Sequence, residues 1–198
     1  MYSLFSGLFE RILPEPDEFK ILIVGTEGSG KSTVLEAMKN ELNHNGKGRV
    51  SQVQPTAGLN LSRCRDVFGS NLVLWDLGGR PSLIPMWSKY FREADALIYV
   101  IDCSSSIEEQ AHSRAVFQDL VTQESLTGTP CMLIGNKCGD VSIATTVAAE
   151  WIYPTPAQTV GPMSFVHLPL DTTRWGRHIR NMCKWLVTHC SLVKQLNC

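Results

Sequence analysis

Short runs of uninterrupted apolar residues alternate with longer stretches of helical periodicity along most of the chain. The apolar runs predict strands over 19–24, 71–75, 96–101, 131–134 and 165–168. The stretches between them predict helices over 31–42, 82–92, 107–124, 144–151 and 175–193. Strands that are apolar throughout and alternate with helices are typical of a mostly parallel sheet with helices on both faces. The pattern therefore predicts an α/β fold.

The first 13 residues carry a pattern of their own. Their apolar side chains lie on one stripe of a helix, formed by Leu4, Phe5, Leu8, Phe9, Ile12 and Leu13. The prolines of segment 14–17 end that helix and form a hinge. We therefore divide the chain into an N-terminal amphipathic helix with its hinge, 1–17, and a globular domain, 18–198. The helix either packs on its own domain or anchors the protein in a membrane interface, and the pattern is compatible with both.

Charge and cysteine content narrow the classes of function. The chain has 18 basic and 19 acidic residues, a balance that argues against nucleic acid as a partner. No apolar run approaches the ~20 residues needed to span a bilayer. The seven cysteines form no C-x-x-C pair and several lie within apolar runs, so we expect reduced thiols in a reducing compartment. No His/Cys cluster has the spacing of a zinc site.

The strongest motif is G-T-E-G-S-G-K-S over residues 25–32, which we call the phosphate loop. It fits G-x-x-x-x-G-K-[ST] in full, and it follows a predicted strand and opens a predicted helix. Backbone N–H groups of such a loop surround the β-phosphate, while Lys31 reaches the β/γ-oxygens and Ser32 binds Mg²⁺. The predicted phosphate-binding residues are Gly25, Glu27, Gly28, Ser29, Gly30, Lys31, Ser32 and Thr33.

An acidic residue follows a second apolar strand. In L-V-L-W-D-L-G-G, residues 72–79, Asp76 comes at the end of the run and two glycines follow it. A carboxylate there can hold the Mg²⁺ shell through water, and the Gly79 N–H can meet a γ-phosphate. We therefore predict that Asp76 and Gly79 face the phosphate loop.

These residues resemble a known family. W-D-L-G-G over 75–79 and P-T-A-G-L-N over 55–60 are similar to the WDxGG and PTxGxN motifs of the ADP-ribosylation factor (Arf) small GTPases, as are the stretches 86–91 and 98–102. The opening M-Y-S-L-F-S-G-L resembles the Arf-related subfamily, and Tyr2 excludes N-myristoylation because that modification needs glycine at this position. The resemblance is good to about Asn136 and poor from Gly139 onward.

The resemblance implies a small GTPase fold of the P-loop NTPase type that binds GTP or GDP with Mg²⁺ and acts as a molecular switch. It makes Thr56 the switch threonine that, with Ser32, binds Mg²⁺. Loss of the γ-phosphate would release the switch loops. The helix bearing Leu4, Phe5, Leu8 and Phe9 would dock with GDP and move to a membrane with GTP. Further implications are a cytoplasmic monomer cycling to trans-Golgi membrane, with effector, exchange-factor and GTPase-activating partners in vesicle traffic.

One departure from the family falls on the hydrolytic residue. The family's WDxGGQ ends in a glutamine that orients the attacking water, and here that position is Arg80, next to Gly79. Arginine has donors only, so it cannot accept a hydrogen bond from water as the amide oxygen does. We therefore expect slow GTP hydrolysis. The competing interpretation is that Arg80 acts as a built-in positive charge on the γ-phosphate.

The second departure falls on base recognition. N-K-C-G-D over 136–140 resembles the family's guanine motif NKxD, in which the aspartate accepts hydrogen bonds from guanine. The fourth position is Gly139, and the acid comes one residue later. By resemblance Asn136 and Lys137 belong to the base site, and we expect the flexible Gly139 to let Asp140 substitute for the missing acid.

Two other functions stay open on the sequence. Arg80 and Gly139 favour a non-hydrolysing interaction module that keeps its nucleotide as a structural element and has degenerate guanine specificity. A phosphotransferase using ATP is disfavoured, because we find no Arg-rich lid segment and no second substrate site in the sequence.

Overall fold

A computed structural model describes residues 15–44, 56, 58–139, 146, 149–152 and 160–196. Several sequence predictions fall wholly or partly outside these residues. They are the prediction for Tyr2, the substitute acid Asp140, part of the predicted helix 144–151, and the apolar stripe of Leu4, Phe5, Leu8, Phe9, Ile12 and Leu13. The boundary between an N-terminal segment, 1–17, and the following domain also stays a prediction.

A six-stranded sheet organises the fold. Its strands are β1 (Glu18–Val24), β2 (Leu59–Val67), β3 (Ser70–Leu77), β4 (Ala96–Asp102), β5 (Cys131–Cys138) and β6 (Met163–Pro169). They are ordered β2-β3-β1-β4-β5-β6, and every neighbouring pair is parallel except β2 with β3. The prediction of a mostly parallel sheet is confirmed. Because β1 lies between β3 and β4, the carboxyl ends of these three strands meet at one edge of the sheet.

Strand β2 was not predicted, and its burial explains why. It is an edge strand, and of its nine residues only Cys64 and Val67 are buried. An edge strand needs no continuous apolar run, so L-N-L-S-R-C-R-D-V reads as polar in sequence. The strand is antiparallel to β3, and it leads the chain from Thr56 back along the sheet.

Within the described residues, three long helices cover the sheet. They are α1 (Lys31–His44), α2 (Ile107–Val121) and α3 (Trp175–Leu196). Residues 146 and 149–152 are helical, within or next to the predicted helix 144–151. One buried cluster lies between the sheet and α1 with α3, and another lies on the opposite face with α2. The prediction of helices on both faces is confirmed. None of the helices in the described residues combines the length and the apolar character that crossing a membrane requires.

The predicted helix 82–92 is wrong as an α-helix. The chain instead forms two 3₁₀ turns, Ile84–Lys89 and Phe91–Glu93, with bonds of the i to i−3 type such as Met86 N to Leu83 O at 3.0 Å. Pro85 has no N–H to donate to residue 81, so an α-helix that began at Ser82 would lack one of its first hydrogen bonds. In the observed turn Ile84–Lys89 the same proline lies in the first turn, where its N–H is not needed. The turns nevertheless bury Trp87 and Phe91, which produced the helical spacing in the sequence.

Candidate functional site

The phosphate loop connects β1 to α1, as the sequence predicts. Gly30 has a φ of +93°, and a Cβ there would collide with the Asn136 side chain. Gly25 has a φ of +146°, and a Cβ there would strike the Val100 carbonyl. Glycine is therefore required at both positions, because the loop turns against β4 and β5 with no room for a side chain.

Lys31 begins α1 and turns its side chain back over the loop. Its Nζ donates to the carbonyl oxygen of Thr26 at 2.8 Å, and the residue is only 6% exposed. Burial lowers the pKa of Lys31 to about 8, although the charges of Asp76 and Glu27 act to raise it. A buried cation with a lowered pKa needs a nearby anion, and a bound phosphate supplies one.

Three oxygen-bearing side chains meet beside Lys31. The Ser32 hydroxyl donates to Asp76 Oδ2 at 2.5 Å and lies 2.9 Å from Thr56 Oγ1, which itself donates to the same Oδ2 at 2.9 Å. Thus α1, the segment before β2 and the end of β3 each contribute one oxygen group. The structure brings together the three residues predicted for the metal site.

The donor set at this place fits Mg²⁺. Asp76 is fully buried, and its Oδ1 has no hydrogen-bond partner among the described residues. Burial raises the pKa of Asp76, while hydrogen bonds from Ser32 and Thr56 and the Lys31 charge lower it. A buried carboxylate oxygen without a partner is costly, and a hard cation among hydroxyl and carboxylate oxygens would remove that cost.

The glycines after Asp76 lie directly on the phosphate loop. A Cβ on Gly79 would approach Lys31 Nζ and the backbone of Gly25 and Thr26, so no larger residue fits there. Gly78 is held from both sides, because its N–H donates to Gly58 O at 2.8 Å and its carbonyl accepts from Trp87 Nε1 at 3.0 Å. Gly79 thus lies against the phosphate loop, and its contact with a γ-phosphate stays a prediction.

Arg80 and Glu27 form an ion pair beside a cavity that the phosphate loop lines. The Arg80 Nε donates to Glu27 Oε1 at 3.0 Å, and both side chains are about half exposed. The cavity has a volume of about 240 Å³. It is lined by residues of the phosphate loop, the start of α1 and the segments around Thr56 and after Asp76, namely Glu27, Gly28, Gly30, Lys31, Ser32, Thr33, Thr56, Gly78, Gly79 and Arg80. The pairing of Arg80 with Glu27 could not be predicted, since it joins residues 53 positions apart.

The predicted base-site residues lie at the other side of the loop, at the end of β5. Asn136 Nδ2 donates to Ser29 O at 2.8 Å, and Lys137 Nζ donates to Gly28 O at 2.8 Å. Lys137 has a φ of +58°, so the chain turns sharply before Gly139. Asn136 and Lys137 therefore hold the phosphate loop in place.

Asp102 is a further residue of this site to which the sequence analysis assigned no role. It ends β4 and pairs with Lys137 at 2.6 Å. Although burial raises the pKa of Asp102, hydrogen bonds from Lys137 and Ser104 outweigh it and lower that pKa below its usual value. The sequence did contain a signal for Asp102, because it follows an apolar strand just as Asp76 does.

Two cysteines adjoin this ion pair. Cys103 follows Asp102, Cys138 follows Lys137, and the structure joins their sulfurs in a disulfide. The expectation of reduced thiols is therefore not met at these two positions. The pairing arises because β4 and β5 are adjacent parallel strands, so residues 35 apart in sequence end side by side.

Comparison with known proteins agrees with this geometry. The profile of the ADP-ribosylation factor family matches residues 5–153. The chain is 42% identical to ADP-ribosylation factor-related protein 1 of Homo sapiens over 138 residues, 69% of this chain and 67% of that protein. It is 26% identical to ADP-ribosylation factor-like protein 3 of Saccharomyces cerevisiae over 187 residues, covering 94% and 92%.

Solved structures share the fold at lower identity. The Arl6 BBS3 small GTPase from Trypanosoma brucei, with bound nucleotide analogue GppNp, superposes with a TM-score of 0.64 at 17% identity, covering 88% of this chain and 98% of that one. The mammalian SRP receptor gives a TM-score of 0.62 at 19% identity, with coverage of 86% and 99%. At these identities the likeness concerns the fold.

Proposed function

The chain belongs to the ADP-ribosylation factor family of small GTPases, and we propose that it is a magnesium-dependent GTP/GDP switch with slow intrinsic hydrolysis. The observation that carries the proposal is the meeting of Ser32, Thr56 and Asp76 beside buried Lys31. Thr56 belongs to the segment leading to β2 and Asp76 ends β3, so both segments would respond to the phosphates at this point.

Each group of the site has a distinct part in the proposed mechanism. Mg²⁺, when bound, neutralises phosphate charge. Ser32, Thr56 and Asp76 would hold it, Asp76 through water. Lys31 and the backbone N–H groups of residues 25–33 bind and orient the β/γ-phosphates, and Gly79 offers its N–H to the γ-phosphate. Asn136 and Lys137 fix the loop on which the phosphates lie.

Slow hydrolysis follows from the residue at position 80. The Arg80 side chain carries no acceptor for a water proton, and its Nε is engaged by Glu27. The same observation favours the second candidate, a non-hydrolysing interaction module that keeps the nucleotide as a structural element. The two differ in whether affinity for an effector changes between the GDP and GTP states.

The finer biology belongs to the same proposal. The apolar stripe of Leu4, Phe5, Leu8 and Phe9 has the composition of an interfacial helix, so we propose a membrane surface as its partner in the GTP state. By family resemblance the setting is cytoplasm and trans-Golgi membrane in vesicle traffic, with effectors, exchange factors and GTPase-activating proteins acting on a monomer.

Nucleotide identification after denaturation tests the switch directly. We expect chromatography of the purified, denatured protein to yield a guanine nucleotide. Chelation of Mg²⁺ should then accelerate GDP release roughly tenfold, because a ligand that stabilises the bound state is withdrawn. Asp76→Asn should release GDP rapidly with or without chelator, while Asp119→Asn on α2 serves as a matched control. A protein without purine nucleotide at micromolar concentration would contradict the proposal.

Base specificity is tested by titrating GDP, ADP and XDP. If Asp140 accepts hydrogen bonds from guanine, Asp140→Asn should weaken GDP binding on the order of 10- to 100-fold, the effect of losing a charged acceptor. The variant should gain relative affinity for XDP, whose base carries an acceptor oxygen where guanine has an amino group. Asp119→Asn, at an exposed position on α2, is the matched control. Equal affinity of the unaltered protein for GDP and ADP would exclude guanine specificity.

A further inference from the structure

The disulfide between Cys103 and Cys138 lies next to Asn136 and Lys137, the residues predicted for the guanine-base site. The two Cα atoms are 5.0 Å apart, a separation that a disulfide accommodates without backbone movement. Cys103 N donates to Asn136 O at 2.9 Å, so the backbones are already in register beside the bond. The two strand ends are thus placed for reversible cross-linking.

The residues next to these cysteines hold the phosphate loop. Asp102 precedes Cys103 and Lys137 precedes Cys138, and their side chains form the ion pair whose ammonium also donates to Gly28 O. A covalent bond between the following residues limits how far the ends of β4 and β5 can separate. It therefore also limits how far Lys137 can move from Asp102 and Gly28.

The other described cysteines lack such a partner. Cys64, Cys131, Cys183 and Cys190 are buried, as Cys103 and Cys138 are, but none of the four is joined to another cysteine. The pair is therefore distinguished by its geometry, since its two sulfurs lie at the ends of neighbouring strands. Only Cys103 and Cys138, among the described residues, form a disulfide.

We propose that Cys103 and Cys138 form a reversible redox site that slows release of the guanine nucleotide when it is oxidised. The inference rests on the proposed function, since it assigns regulation to the same site. In the reduced state the strand ends can separate and let the base leave. In the oxidised state the cross-link removes conformations from the open state, and we expect release to slow roughly tenfold.

The oxidant class is a hydroperoxide, which is small enough to reach a site with little exposure. The thiolate of one cysteine attacks a peroxide oxygen and breaks the O–O bond, giving a sulfenic acid and, after protonation, water. The second sulfur then attacks the sulfenic sulfur, and hydroxide leaves and takes up the second thiol proton as water. Two thiols and one hydrogen peroxide thus give one disulfide and two waters. A dithiol reverses the bond by exchange.

The test measures GDP release from the full-length protein after dithiothreitol, after hydrogen peroxide, and after peroxide followed by dithiothreitol. We expect slow release only in the peroxide-treated sample, with recovery after reduction. Peptide mass spectrometry under each condition reports whether Cys103 and Cys138 are joined. Cys103→Ser and Cys138→Ser should each release GDP at the reduced rate under all conditions, whereas Cys190→Ser should keep the redox response.

Three outcomes would overturn the inference. They are a release rate that does not change although the disulfide forms, a peroxide effect that persists in both Cys103→Ser and Cys138→Ser, and failure of the bond to form under peroxide. Each of these leaves the proposed function intact, because GDP is bound and released in every case. A protein that binds no guanine nucleotide contradicts the proposed function instead, and mass spectrometry still reports whether the bond forms.

Discussion

Replacing Lys31 with alanine is expected to weaken GDP and GTP binding by about 100-fold or more, since each charge-assisted hydrogen bond lost from a buried site costs about 1.5–3 kcal/mol. Lys31 is the buried cation of the phosphate loop, and its Nζ lies 2.8 Å from Thr26 O within the proposed phosphate-binding site. The measurement is equilibrium titration with a fluorescent guanine nucleotide. Lys39→Ala is the matched control, because Lys39 lies on the same helix and pairs with Glu36 at the helix surface.

The pH dependence of binding gives an independent check on the same residue. Phosphate binds the charged form of Lys31, so the pKa of this group is higher in the complex than in the free protein. The free protein has a Lys31 pKa of about 8, and affinity should therefore be fully present well below pH 8 and decline as the pH rises through that value. Lys31→Ala should lose this decline, and Lys39→Ala should retain it. If Lys31→Ala still bound GDP and GTP tightly, the proposed role of the phosphate loop in nucleotide binding would be contradicted.

The parts of the site that lie close together in sequence were predictable. The phosphate loop follows an apolar strand and opens a helix, and these local signals predicted the position of Lys31 and Ser32 at the start of α1, where the structure has them. Asp76 was predictable for a related reason, because an acid at the end of an apolar strand lies at the carboxyl edge of a parallel sheet. In each case the short sequence pattern that identifies the residue also determines where that residue lies relative to the sheet.

The contacts that require the order of the strands were not predictable. The pairing of Asp102 with Lys137 and that of Cys103 with Cys138 both need β4 beside β5. The pairing of Arg80 with Glu27 needs β3 beside β1, since each residue lies just beyond one of these strands. Apolar runs identify strands and leave their order open, so these contacts appear only in the folded molecule.

Two elements of secondary structure were also not predicted from the sequence, the strand β2 and the 3₁₀ turns of segment 82–92. The edge strand β2 is mostly exposed and so lacks the apolar run that identified the other strands. The segment 82–92 has helical spacing of buried aromatic residues, but its hydrogen bonds are mainly of the i to i−3 type, and Pro85 removes one bond from the start of the predicted helix. The result is a pair of 3₁₀ turns whose Trp87 supports Gly78 through its indole N–H. That contact links the segment to the proposed switch.

Replacing Arg80 with glutamine is expected to accelerate single-turnover GTP hydrolysis roughly tenfold, because a group that can accept a hydrogen bond from the attacking water contributes to the rate. In the folded chain the Arg80 guanidinium pairs with Glu27 and offers only donors at this position. The measurement is phosphate release from protein preloaded with GTP and Mg²⁺, so that nucleotide affinity does not enter the rate. Arg92→Gln, an exposed arginine outside the phosphate cavity, is the matched control.

The same assay separates the two interpretations of Arg80. If the guanidinium acts as a built-in charge on the γ-phosphate, the unaltered protein hydrolyses GTP faster than Arg80→Gln, and the expectation above is wrong. Glu27→Ala sharpens the comparison, because it frees Arg80 from its partner and places no acceptor at position 27. On our interpretation Glu27→Ala leaves hydrolysis slow, since a freed guanidinium still cannot accept from water. On the built-in-charge interpretation it raises the rate, since the guanidinium becomes free to reach the phosphate.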